Sequence, residues 1–165
     1  MRRSTVLFSP LLLLLLLLAP AEAQDINDLN GAWIVTSWTT ADGEVDDEPQ
    51  RGLYLFTITR ADGGSYSIMF VSDDEPRAQS AGEEMTDAEK LAAYDSFVAN
   101  SGRLNVEGNT LTYEAYMAKN PNYMANFGED GGGNGVTVEW AVADDVLTLT
   151  FENGGSATFR RPNSG

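Results

Sequence analysis

The sequence predicts an all-β fold: an eight-stranded antiparallel up-and-down barrel with one amphipathic helix inserted between the third and fourth strands. Short runs with apolar residues at every second position are separated by glycine-rich turns, such as those at 61–64 and 153–155, a pattern typical of β-hairpins. The first run begins with Gly31-Ala32-Trp33 and the last ends with Phe159-Arg160-Arg161. A tryptophan on the first strand and an arginine on the last can stack only if the sheet closes on itself. An open two-layer sandwich is the alternative architecture.

The strands are placed by their alternation and by the turn residues at their ends. On the first strand we expect Trp33, Val35 and Ser37 to share one face. Closing the sheet removes the exposed edges that an open sheet would present. The predicted strands span 32–40, 53–60, 65–72, 103–106, 110–117, 136–143, 146–152 and 156–161.

One segment between the third and fourth strands has the pattern of a helix. Thr86 and Glu89 form a capping box, and Leu91, Tyr94 and Val98 fall on one stripe. The Asn-Ser-Gly sequence at 100–102 is predicted to end it. We expect this helix to pack its apolar face across a barrel mouth or against the wall.

Residues 1–23 have the order of a secretory signal peptide. Arg2 and Arg3 precede an apolar stretch at 6–18, and Ala21-Glu22-Ala23 provides a small-x-small cleavage signal. The apolar stretch is short for a membrane span, although an uncleaved anchor is the alternative. We therefore expect one domain over 24–165, exported to the periplasm or secreted, monomeric, and without a membrane association after cleavage.

The composition excludes several classes of function. The chain has no cysteine and no histidine, so zinc-finger sites, thiol nucleophiles and serine–histidine catalysis lack their residues. The net charge of −15 leaves no basic patch to neutralise phosphates, which argues against a nucleic-acid partner. Asp46-Asp47-Glu48 and Glu129-Asp130 offer oxygen ligands for calcium but lack the spacing of the helix-loop-helix calcium motif. Glycoside hydrolysis needs two carboxylates that face a cleft, and the strand positions of Glu114 and Glu139 point outward. No metal and no cofactor is predicted.

The chain resembles a lipocalin-like domain of the small bacterial and fungal type, within the wider calycin group. The matching residues are Gly31-Ala32-Trp33 with Val35 and Ser37, the hairpin at 52–71, Asp74-Glu75-Pro76-Arg77, the helix at 84–100, Gly102-Arg103, and Phe159-Arg160-Arg161. The resemblance implies an eight-stranded barrel that binds small, mostly apolar molecules. Tyr113 stands where relatives often carry histidine, Phe159 where tryptophan is frequent, and the glycine run at 131–135 is an insertion relative to that pattern.

A ligand site in such a barrel is an apolar pocket with a few polar groups that orient the ligand. Tyrosines combine ring area with a hydroxyl, and tryptophan adds an indole donor. The alternative for every wall residue is that it fills the barrel. The predicted ligand-binding wall consists of Tyr54, Phe56, Tyr66, Ile68, Phe70, Leu111, Tyr113, Val138, Trp140 and Leu149.

Three residues are predicted to close the base of the barrel: Gly31, Trp33 and Arg161, with Arg160 as the alternative cation. Arg77 is interpreted either as an ion-pair partner of the neighbouring acids or as a contact for an anionic ligand head group.

The sequence thus favours an exported barrel that binds a small apolar or amphipathic molecule. An envelope interaction or stress module with a filled barrel is the first alternative. A calycin-type cyclase or isomerase acting on a lipid-like substrate is the second, and the least favoured. An enclosed cavity of roughly 300 Å³ or more, lined by Tyr54, Tyr66 and Tyr113, would support binding, whereas a barrel packed solid by those rings would contradict it.

Overall fold

A computed structural model describes residues 24–49, 51–71, 84–124 and 135–162. The predicted signal peptide, Arg77, Glu129-Asp130 and all but the last residue of the glycine run lie outside the described residues. No helix in the described part of the chain combines the length and the apolar character needed to span a membrane. The strands are β1 (Gly31–Thr39), β2 (Val45–Asp46), β3 (Gly52–Arg60), β4 (Gly63–Val71), β5 (Phe97–Glu107), β6 (Thr110–Ala118), β7 (Val136–Ala143), β8 (Val146–Phe151) and β9 (Ser156–Arg160).

The sheet closes into an antiparallel barrel. Its order is β1-β3-β4-β5-β6-β7-β8-β9, and β9 pairs back onto β1 through Val35↔Phe159 and Trp38↔Ala157. The short β2 pairs with the end of β1. The predicted eight-stranded up-and-down barrel is confirmed, and the open sandwich is excluded because the first and last strands share a hydrogen-bonded ladder.

A β-bulge changes the inward face of β1. The register with β9 shifts between Val35 and Ser37, so that Trp38 lies opposite the buried Ala157. Beyond the bulge the alternation is therefore reversed, and Trp38, rather than Ser37, points toward the interior. The prediction that Ser37 shares a face with Trp33 and Val35 was wrong, because strict alternation along the sequence does not account for the extra residue of the bulge.

The helix α1 (Asp87–Asp95) is shorter than predicted and packs differently. The capping box of Thr86 and Glu89 is present. The helix buries no residue, and Leu91 and Tyr94 are 61% and 50% exposed, so the expected burial of an apolar face was wrong; the helix contacts the barrel mouth through Tyr94, whose hydroxyl donates to the carbonyl of Lys119 at 2.9 Å. Val98 belongs to β5, which starts at Phe97 opposite Val71. Residues 97–102 form backbone hydrogen bonds with β4, and this strand pairing replaces the last predicted helical turns.

The two ends of the barrel differ in their connections. Successive connections of an up-and-down barrel alternate between its ends, so the tight turns at 61–62, 108–109 and 144–145 lie together at one end. We call this end the base, and the opposite end, with the longer connections, the mouth. A 3₁₀ turn at Ile26–Leu29 precedes β1 at the base. A second 3₁₀ turn, Pro121–Tyr123, follows β6 at the mouth.

Candidate functional site

The base is closed by contacts between the N-terminal and C-terminal strands. The guanidinium carbon of Arg161 lies 4.2 Å from the centroid of the Trp33 ring. Arg161 Nη1 donates to the carbonyl of Asn30 and Nη2 to that of Asp28, both at 2.8 Å. Trp33 is fully buried, and its Nε1 donates to the carbonyl of Leu29 at 2.7 Å. The cation and the indole thus hold the 3₁₀ turn over the end of the barrel.

Gly31 makes room for this arrangement. Its φ of +114° is in the region that favours glycine, and a Cβ at this position would lie 2.9 Å from Arg161 Nη1. The structure therefore brings Gly31, Trp33 and Arg161 together, while the side chain of Arg160 is exposed on β9.

Toward the mouth the barrel contains a cavity of about 250 Å³. Tyrosine and phenylalanine rings form much of its wall, with aliphatic side chains between them. From the predicted wall, the residues that line it are Tyr54, Tyr66, Ile68, Phe70, Tyr113, Val138 and Leu149. The volume is slightly below the roughly 300 Å³ expected of a ligand site, and the cavity is open at the mouth rather than enclosed.

Phe56, Leu111 and Trp140 do not line the cavity; they are buried toward the base. The indole of Trp140 donates to the carbonyl of Gly108 in the β5–β6 turn at 3.2 Å. The alternation of a strand determines which residues point inward, but it does not determine their height along the barrel axis. These three residues point inward as expected, but they lie closer to the base than the cavity does.

The cavity also has wall residues that the sequence did not single out: Val98, Asn100, Ala115, Tyr123, Val136 and Phe151. Val98 and Asn100 had been assigned to the helix, and Tyr123 to an irregular segment. Ala115 and Val136 lie on predicted strands and share the inward parity of Tyr113 and Val138, so alternation alone would have indicated them. The 3₁₀ turn that places Tyr123 beside the mouth has Pro121 at its start, which is a recognisable signal.

Aromatic rings pack against one another at the floor of the cavity. The rings of Tyr66 and Tyr113 meet edge to face, with centroids 4.8 Å apart, and the ring of Tyr113 stacks on Phe56 at 6.3 Å. Tyr54 packs against Phe159 at 4.7 Å. Such pairs fix the ring orientations and hold the hydroxyls in defined positions.

A second aromatic group lies on the mouth side. Trp38 stacks on Phe151 with centroids 5.9 Å apart and planes at 19°, and it contacts Phe70 at 5.7 Å. Phe70 and Phe151 are half-buried and line the cavity. The bulge in β1 is what turns Trp38 toward them.

The hydroxyl of Tyr113 is the notable polar group of the cavity. The residue is only 6% exposed, and its oxygen has no hydrogen-bond partner within the described residues. A buried hydroxyl without a partner costs about 1–3 kcal/mol, and native structures contain few of them. This hydroxyl is therefore an unpaired donor beside the cavity that the Tyr113 ring lines.

All three tyrosines of the floor are neutral at physiological pH. Burial raises the pKa of Tyr54, and burial together with the charge of Glu114 raises the pKa of Tyr66 to about 12. The pKa of Tyr113 is raised well above its usual value by burial and by the neighbouring Tyr54 and Tyr66. Each hydroxyl consequently keeps its proton and can donate it in a hydrogen bond.

The described lining of the cavity contains no lysine, arginine, aspartate or glutamate. Glu114 is paired with Arg103 through a hydrogen-bonded salt bridge between β6 and β5. The cavity thus provides rings, aliphatic groups, tyrosine hydroxyls and the amide of Asn100, and its described residues offer no charge to a ligand.

Comparison with solved structures finds three similar chains. A lipocalin-like protein from Bacteroides uniformis is 20% identical, with a TM-score of 0.48, over 81% of this chain and 98% of that one. An uncharacterized protein from Bacteroides eggerthii is 16% identical, with a TM-score of 0.45, over 81% of this chain and 98% of the other. A redesigned β-barrel is 11% identical, with a TM-score of 0.40, over 86% and 98%. No protein-family model and no curated protein matches the sequence. The lipocalin-like architecture itself rests on the strand pairings described above.

Proposed function

We propose that this protein binds a small apolar or amphipathic molecule inside its barrel. The observation that supports the proposal is the cavity of about 250 Å³, lined by Tyr113, whose buried hydroxyl has no partner among the described residues. The cavity opens at the mouth, where Tyr123 and Val136 are exposed, and its apolar walls lack the close contacts that a packed interior provides. A ligand would restore those contacts and give the hydroxyl a partner.

The volume restricts the size of the ligand. A cavity of about 150 Å³ holds one benzene molecule, so the present cavity suits a molecule of roughly ten non-hydrogen atoms. A long-chain lipid would have to extend through the mouth. The cavity between aromatic walls favours this proposal over the filled-barrel alternative, in which the protein binds no ligand.

Export is the second part of the proposal. It is supported by the arginines, the apolar stretch and the Ala21-Glu22-Ala23 signal at the start of the chain. The absence of cysteine makes the folding of the chain independent of the redox state outside the cytoplasm.

Native mass spectrometry of the full-length gene product, recovered from the exported fraction, tests both parts. We expect a cleaved chain that carries a small molecule, released on denaturation. Ala115→Leu places an isobutyl group in the cavity and should reduce the occupied fraction about tenfold or more, because the added side chain takes up space that the ligand needs in a cavity of about 250 Å³. Ala141→Leu, on the exposed face of β7, is the matched control and should leave occupancy unchanged.

Two results would contradict the proposal. One is a protein that never acquires a small molecule, even when soaked with a library of neutral compounds of this size. The other is Ala115→Leu retaining full occupancy. Comparing the mass of the released compound with that of the compound supplied distinguishes binding from catalysis.

A further inference from the structure

Among the described residues, the cavity has one deeply buried donor without a partner. Tyr113 lies on β6, and its ring is held between Tyr66 and Phe56 by the aromatic contacts described above. Its hydroxyl therefore cannot turn away to find a partner without breaking those contacts. The hydroxyl oxygen has almost no accessible surface, so solvent does not satisfy it, and a molecule that fills the cavity beside the ring either accepts its hydrogen bond or leaves it unpaired.

The residues around the cavity also favour neutral ligands over anionic ones. The described wall has no cationic group that would compensate a buried carboxylate. Glu114, next to Tyr113 on β6, acts on Tyr66 with its negative charge, and the protein as a whole carries a net charge of −15. Burying an anion without a counter-charge is strongly unfavourable, and these charges add to the penalty.

We infer that the ligand is a neutral molecule of one or two rings and that a ketone, ester or amide oxygen on it accepts a hydrogen bond from the Tyr113 hydroxyl. The same site rejects carboxylates. This inference rests on the proposed function and specifies the class of ligand. Specificity of this kind is sharp because an analogue without the acceptor leaves a buried polar group unpaired.

Three probes of nearly the same shape separate the possibilities: acetophenone, isopropylbenzene and benzoate. The first has a neutral acceptor, the second has none, and the third carries a negative charge at neutral pH. Dissociation constants are measured by NMR titration of the wild-type protein at pH 7 and then of three single variants, Tyr113→Phe, Tyr66→Phe and Tyr116→Phe.

For the wild-type protein we expect acetophenone to bind about tenfold more tightly than isopropylbenzene, and benzoate about a hundredfold more weakly than acetophenone or not measurably. Tyr113→Phe should abolish the advantage of acetophenone while leaving isopropylbenzene within about twofold, because the ring and the cavity persist. Tyr116→Phe, an exposed tyrosine on the same strand, should preserve the tenfold ratio.

Each contrary outcome has a distinct meaning. Equal binding of acetophenone and isopropylbenzene by the wild-type protein overturns the inference and leaves the proposed function intact, as does tight binding of benzoate. Loss of the ratio in Tyr66→Phe but not in Tyr113→Phe overturns the assignment of the donor. Failure of all three probes to bind contradicts the proposed function itself. The wild-type comparison tests the inference even if a variant does not fold.

Discussion

The base and the mouth of this barrel are built from the same eight strands, yet one half is solid and the other is hollow. At the base, Trp33, Phe56 and Phe159 are at most 1% exposed. Toward the mouth, Phe70 and Phe151 are half-buried around a cavity of about 250 Å³. Both halves are apolar, so hydrophobic content alone does not decide whether a barrel fills.

The difference follows from side-chain size at paired positions. On β5 and β6, Gly102 lies opposite Ala115, next to the cavity. Nearer the base, Leu104 lies opposite Tyr113, and Val106 opposite Leu111. The small pair leaves the space that the large pairs occupy. Gly102 cannot be enlarged without rearrangement, since a Cβ there would lie 2.0 Å from the carbonyl oxygen of Glu114.

The largest effect is expected from a tryptophan at the base. Trp33→Ala should lower the free energy of unfolding by about 5 kcal/mol, because it removes a fully buried ring that also bears Arg161 and a hydrogen bond to Leu29. Trp38→Ala, at the mouth, should cost about 2 kcal/mol, since its ring is only half-buried. Urea denaturation of both variants measures the difference. Equal losses would show that the mouth is packed as firmly as the base.

Alkaline pH should destabilise the protein through the floor of the cavity. Tyr54, Tyr66 and Tyr113 have raised pKa values in the folded state, about 12 for Tyr66, whereas an unfolded tyrosine ionises near 10. Above pH 10 the unfolded chain therefore binds fewer protons than the folded chain, and stability falls as the pH rises. The loss at pH 11 should be about 1.4 kcal/mol for each buried tyrosine, or roughly 4 kcal/mol in total.

The free energy of unfolding, measured in urea at pH 9, 10 and 11, checks this expectation. Tyr66→Phe should reduce the loss at pH 11 by about 1.4 kcal/mol, because one titrating group is removed. The exposed Tyr94→Phe serves as the control variant. A stability that stays constant up to pH 11 would mean that the tyrosines of the floor ionise in the folded state as readily as in the unfolded one.

The barrel could be predicted from the sequence because alternation and turn chemistry are local signals. The hairpin turn at 61–62 and the strand runs of β3 and β4 directly encode their pairing. Closure was also predictable, since Trp33 and Arg161 mark the first and last strands. The bulge in β1 was not, because the shift arises from the pairing with β9 rather than from β1 alone.

The site was predictable in direction more than in position. Inward parity correctly places Tyr54, Tyr66 and Tyr113 toward the interior. Whether an inward residue lines the cavity, as Val138 does, or packs into the base, as Trp140 does, depends on strand tilt and on side chains from other strands. The limit of α1 was missed for a related reason: Phe97 pairs with a distant residue, Val71, and a helical stripe does not report that competition.

The smallest expected effect concerns the closure of the base. Arg161→Lys keeps the positive charge but loses the planar fork that donates to the carbonyls of Asn30 and Asp28. The free energy of unfolding should fall by about 1 kcal/mol, since a lysine ammonium can stack on Trp33 but cannot reach both carbonyls in the same geometry. Arg160→Lys is the matched control: its side chain is exposed on the adjacent position, and its unfolding curve should match that of the wild type. If Arg161→Lys unfolds at the same urea concentration as well, the packing of Trp33 alone closes the base, and the contrast between the two ends reduces to side-chain size.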